Sequence, residues 1–307
     1  LENKDTTNPN DYDSPWKEAV ERYFKEFSAL LFPHVHDEID WTQKPVFIDK
    51  ELQKLVWDSE TGRRYADKLV KVRTKRNKEI RVIIHIEVQG EPEDVFSERM
   101  FIYYISIFRH HRTDVVSLGV LTDNKKSFRP NSYSRALWGC KLDFCFPIAK
   151  LQDWEDKWDV LENSDNVFAL VVMAQIKAKT SRTADELKAW KFHLVRLMYE
   201  RSYDREGIQE LFRYIDWMIR LPVDLERQFL EDVYRMEEEK KMPYITSAER
   251  FGMYNEKIQT IIRFSKLNLK PEDIAAGVGL TPEKVRAILK AKEKGLDILM
   301  NEDTAKQ

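Results

Sequence analysis

Two β-rich runs, ADKLVKVR at 66 to 73 and IRVIIHIEVQ at 80 to 89, flank the polar loop TKRNKE and limit the possible folds more than any other part of the chain. Val and Ile dominate both runs, and the short loop between them favours an antiparallel hairpin. Folding the loop about Asn77 sets Val70 opposite Ile84, Val72 opposite Val82 and Lys68 opposite Ile86, so one face is apolar apart from the lysine. The same register sets Leu69 against His85 on the reverse face, and Asp67 against Glu87. Carboxylates directly across a strand pair repel, and protonation or a cation relieves them.

Strand side chains alternate, so Gln89 projects on the same face as Glu87, with the Val88 carbonyl between them. Two carboxylates, an amide and a backbone carbonyl suit a hard divalent ion such as Mg²⁺, with Mn²⁺ able to substitute. Such an ion lowers the pKa of bound water and neutralises charge on a phosphate undergoing displacement. The bland alternative is a pair of polar residues at a strand end beside a loop.

Around this hairpin the chain reads as helix, sheet with a crossover helix, then a helical half. Residues 1 to 12 are a polar arm. From Ser14 to Pro33, Trp16, Ala19, Val20, Phe24, Phe27 and Leu31 recur at helical spacing. FSERMFIYYISIFRHH predicts a helix, VVSLGVLT (115 to 122) a buried strand, and LDFCFPI (142 to 148) a further strand. Beyond residue 150 the periodicity is helical over 165 to 179, 184 to 202, 204 to 220 and 224 to 241. These boundaries suggest a core over 13–150, a helical region over 151–245, a helical hairpin over 246–295 and a tail over 296–307.

Lys+Arg 51 nearly balances Asp+Glu 53, so any basic surface is local. Cys140 and Cys145 alone make no disulfide framework or four-cysteine zinc site, and core packing is their default reading. No run of apolar residues reaches membrane-spanning length and the opening lacks a signal-peptide layout, which predicts a cytoplasmic protein with no membrane partner.

The stretches DSPWKEAVERYFKEF, EIDWTQKPVFIDKEL, GRRYADKLVKV, VIIHIEVQG, FSERMFIYYISIFRHH, RALWGC and MPYITSAERFG together resemble the recombination-promoting nuclease and transposase-like family, within the PD-(D/E)XK nuclease superfamily and its cyanobacterial-type members. The resemblance spans roughly residues 11 to 255. It implies an α/β fold with a restriction-endonuclease-like core, a mixed β-sheet flanked by helices in the order αβββαβ, and an all-helical C-terminal region. It also implies a Mg²⁺-dependent endodeoxyribonuclease acting in DNA recombination, transposition or mobile-element defence. By that resemblance the catalytic residues are Asp67, Glu87 and Gln89, with Asp67, Glu87 and the Val88 carbonyl on the metal. The family opening falls on Asp13, Trp16 and Lys17, and the helix after the motif on Glu98, Arg99 and Tyr103. Gln89 stands where the superfamily usually has lysine, so it can orient water but brings no charge. The recombination-promoting branch is similar in this respect.

Accessory candidates are Lys17, His85 and Arg99, with Glu26 at the edge of the first helix's buried stripe and Glu18 pointing away from it. His85 is equally a packed strand residue, and Arg99 equally an ion-pair partner. Lys71, the loop TKRNKE, Arg63 and Arg64 are candidate phosphate contacts. LKPEDIAAGVGLTPEKVRAILK (269 to 290) has the cadence of a helix-turn-helix and exposes Arg286 and Lys290 toward DNA, or else is a docking hairpin. Cutting both strands requires two sites, which suggests a homodimer. The rival expectation is a catalytically inactive DNA-binding or protein-interaction module on a decayed nuclease fold; RNA is a further alternative substrate.

Overall fold

In the computed structural model the described residues are 14–49, 68–76, 81–242, 244–245, 258, 260–265, 269–278 and 281–291. The predicted hairpin forms in the predicted register. Strand β2 (Lys68–Arg73) pairs antiparallel with β3 (Arg81–Gln89), and Leu69 lies opposite His85, Val70 opposite Ile84 and Val72 opposite Val82. β1 (Val46–Phe47) adds to the outer edge of β2. On the other side β4 (Asp114–Leu121) runs parallel to β3, and β7 (Ile148–Lys150) parallel to β4, giving the mixed sheet β1-β2-β3-β4-β7. The parallel β3–β4 pair requires a crossover, and helix α4 (Phe96–His111) supplies it.

The two faces of the sheet are buried differently. Leu69, Ile83, Leu121 and Ile148 face α4, packing with Phe96, Met100, Tyr103 and Ile107. The opposite face, with Val70, Ile84, Ile86, Leu118 and Val120 buried, lies on the side of α1 (Ser14–Arg22), α2 (Phe24–Leu31) and, further along the chain, α6 (Phe168–Thr180). Trp16 and Phe27 meet Phe168 edge-on at 5.6 and 5.2 Å. Lys68, the one charge on this face, is buried between Glu21 at 2.5 Å and Asp49 at 2.6 Å. Burial alone would depress its pKa, but the two carboxylates outweigh that and raise it.

Three expectations need correction. The run from residue 14 to Pro33 is two helices, because Tyr23 (φ −116°, ψ 38°) leaves helical geometry between α1 and α2; a short helix α3 (Pro33–His36) follows. LDFCFPI is divided between β6 (Cys140–Cys145), paired with β5 (Ser132–Leu137) in a separate two-stranded ribbon, and the start of β7. Cys140 and Cys145 both lie exposed on that ribbon and not in the core.

After β7 come a 3₁₀ turn (Leu151–Lys157) and helices only, among the described residues: α5 (Trp158–Glu162), α6, α7 (Ala184–Glu200), α8 (Arg205–Met218), α9 (Val223–Lys240), α10 (Pro271–Val278) and α11 (Pro282–Ala291). No described helix is long and apolar enough to cross a membrane. The chain divides into two units. One holds residues 1–201 and 213–225, including the whole sheet; the other holds 202–212 and 226–307. In the second, Ile274, Ala275, Val285 and Ile288 of α10 and α11 share a core with Ile258 and Ile261.

Candidate functional site

The C-terminal end of β3 places His85, Glu87 and Gln89 at alternate positions on the face that α4 covers. Residues 90–95 make a short return, so Arg99, in the first turns of α4, points back over the strand it has just left. Its guanidinium holds the site together. Nε donates to Glu87 Oε1 at 3.0 Å, one terminal nitrogen to Gln89 Oε1 at 2.5 Å, and the other to Glu93 Oε2 at 2.6 Å. The Gln89 amide nitrogen donates to the Glu91 carbonyl at 2.5 Å. The Arg99 pKa is raised, because the charges of Glu87 and Glu93 outweigh a burial that works against it.

Arg99 thus takes the pairing alternative weighed for it from the sequence. The site it closes is deeply buried, with Glu87 only 2% and Gln89 6% exposed. His85 is fully buried, its ring edge-on to Tyr103 at 5.3 Å and its Nε2 3.5 Å from Glu87 Oε2.

Parallel pairing ties this strand end to its neighbours. Thr122 N–H donates to the Gln89 carbonyl at 2.9 Å. In a ladder with that phase, odd-numbered residues of β3 bond to β4, so the Val88 carbonyl is directed toward the β2 side. There the described pairing ends at Lys68 opposite Ile86. Gly119 lies opposite Glu87, and a Cβ there would come within 3.2 Å of Ile148 and 3.4 Å of Phe96. The missing side chain lets Phe96, and with it the start of α4, approach the sheet.

Sequence reasoning missed two neighbours of this cluster. Asp123, just beyond β4, and Lys150, the last residue of β7, form a buried ion pair at 2.6 Å. Register gave the only signal, since Lys150 pairs with Leu121, which pairs with Gln89. Glu93 was missed too, because its part depends on where Arg99 ends up.

Asp67 lies outside the described residues, as do Asp13, Arg63, Arg64, the loop residues 77–79, the arm 1–12 and the tail 296–307. Among the described residues no group of three His, Cys, Asp or Glu side chains is arranged to hold a metal ion. The oxygen-only set of Glu87, Gln89 and the Val88 carbonyl matches what a hard divalent ion takes, although Arg99 already holds two of those three groups. Lys17 and Glu26 are half-buried on α1 and α2, and Lys71 is half-buried on β2. Glu18 is exposed and meets Arg213 at 2.8 Å. Glu98 accepts from the Tyr133 hydroxyl at 3.1 Å. In the other unit, Arg286 is ion-paired with Glu272 while Lys290 is exposed.

No family model, curated protein or solved structure matches the chain.

Proposed function

We propose that the chain is a metal-dependent DNA endonuclease with a restriction-endonuclease-like core. The observation that carries this reading is the convergence of Glu87 and Gln89 on one face of a strand end, in the hairpin register that follows from the sequence. The described element order from α1 to β4 adds support, since after the leading helices it runs through three strands, a crossover helix and a strand, which is the order the family resemblance implies.

Glu87 and Asp67 hold a divalent ion in this reading, with the Val88 carbonyl as a further oxygen donor. When bound, that ion supplies Lewis acidity and a water of lowered pKa. The Gln89 amide orients the attacking water through its oxygen and compensates in geometry for the charge that a lysine would bring. Arg99 holds Glu87 and Gln89 while the site is at rest. Taking up an ion requires it to release Glu87, and its planar fork of donors then suits the scissile phosphate.

The burial of Glu87 under Arg99 also favours a second reading, a decayed site in which an internal ion pair has replaced the metal. Nicking of supercoiled plasmid in Mg²⁺ or Mn²⁺ separates the two. The nuclease reading expects wild type to nick and both Asp67→Ala and Glu87→Ala to lose that activity. Intact plasmid with all three proteins, with DNA binding retained, favours the decayed module. Equal cutting by wild type and variants removes the site assignment.

A further inference from the structure

The ribbon β5–β6 carries its most exposed side chains at its tip. Leu137 is 64% exposed and Trp138 95%. Trp138 and Gly139 both adopt left-handed backbone, φ 49° and 89°, as in the two-residue turns that follow strand twist. The base of the ribbon is anchored, with Tyr133 stacked on Phe101 at 5.2 Å and Phe144 against Phe101 and Tyr104 at 5.6 and 4.9 Å. From there Arg135 leans toward Glu98 at 3.7 Å, one helical turn before Ile102. On the side of α4 away from the sheet, Ile102, Ile105 and Phe108 are all exposed. A tryptophan tip, an apolar helix stripe and a ribbon paired only within itself therefore lie on one side of the sheet-bearing unit.

The charges on this surface select its partner. Arg135 meets Glu98, and Lys141 meets Asp143 at 2.5 Å, so two cations are matched by two acids. A nucleic-acid strand calls for a surplus of cations. A surface that is apolar at its centre and carries both signs in equal number is complementary to itself, as a two-fold symmetric contact demands. We propose that it binds a second copy of this chain, with Trp138 of each copy on the Ile102–Ile105–Phe108 stripe of the other. Burying an indole that is otherwise almost wholly in water supplies the apolar drive, and aromatic anchors of this kind dominate protein contacts.

Sedimentation velocity of the full chain over a concentration series tests this. The expected result is a monomer–dimer equilibrium that Trp138→Ser and Ile105→Ser each weaken by roughly 30-fold or more, as for a central contact residue. Both side chains are exposed, so circular dichroism should be unchanged; Lys126→Ser, away from the patch, should associate as wild type does. A chain that stays monomeric at every concentration overturns the proposal. So does a dimer that persists undiminished in the Trp138→Ser, Ile105→Ser double variant. A monomeric wild type that loses DNA binding on Trp138→Ser overturns it in favour of a nucleic-acid contact.

Discussion

Replacing Arg99 with methionine removes the only cation hydrogen-bonded to Glu87 in the structure while keeping much of the side-chain volume. Glu87 is 2% exposed, so water cannot take the place of the lost N–H donors. Breaking a buried ion pair from one side costs about 3–5 kcal/mol, because a charge is left without compensation. The lower end applies here. Arg99 itself keeps 15% exposure, and Nε2 of His85 lies 3.5 Å from the other Glu87 oxygen, where it can recover part of the loss. We therefore expect Arg99→Met to destabilise the sheet-bearing unit by about 3 kcal/mol at neutral pH, read from urea unfolding. Protonating the orphaned carboxylate removes its buried charge. The folded variant then binds the proton more readily than the unfolded chain does, and the deficit shrinks as pH falls. Arg99→Lys keeps the charge but loses the fork, and should fall between the two. A loss of under about 0.5 kcal/mol, or a deficit independent of pH, would refute the view that Arg99 compensates a buried Glu87 charge.

Other predictions concern what surrounds the site. Gly119→Val should cost about 1–3 kcal/mol in the same unfolding assay, since the added atoms meet Ile148 and Phe96; an unchanged midpoint would show that α4 does not need this close approach. The Lys177 ammonium sits over the Trp158 and Trp190 rings at 4.1 and 4.0 Å, so Lys177→Met should lower stability by about 1 kcal/mol and alter tryptophan fluorescence. Arg129 hydrogen-bonds Asp153 and holds its carboxyl below the usual range. Its stabilising effect is present above the ordinary carboxylate pKa and is lost as pH falls through the lowered one. The gap between wild type and Asp153→Asn, only a few tenths of a kcal/mol for so exposed a pair, should therefore close on acidification.

The hairpin was legible because apolar alternation and a short polar loop leave one register that keeps Val70, Val72, Ile84 and Ile86 together. α4 and β4 followed from equally strong periodicity. The division of LDFCFPI was not legible from hydrophobicity, which runs unbroken through Phe144 and Phe146. Pro147 marks the break, and its carbonyl accepts the Gly119 N–H at 3.0 Å as the chain enters the large sheet. The β5–β6 ribbon escaped notice because its strands are largely solvated and lack an alternating apolar face; Trp138-Gly139 was the available turn signal. At the site, strand alternation gave the shared face of His85, Glu87 and Gln89. Their burial did not follow, because it depends on where a helix twelve residues after Glu87 delivers Arg99. Asp123 and Lys150 pair only once β4 and β7 lie side by side, a long-range event that no local pattern encodes.

Calorimetric titration of Mn²⁺ into the full chain addresses the shared ion most directly, comparing wild type with Asp67→Ala and Glu87→Ala. The account predicts a bound ion in wild type and at least about tenfold weaker binding in each variant, with folding preserved. Binding that is absent from wild type, or unchanged in both variants, would contradict it.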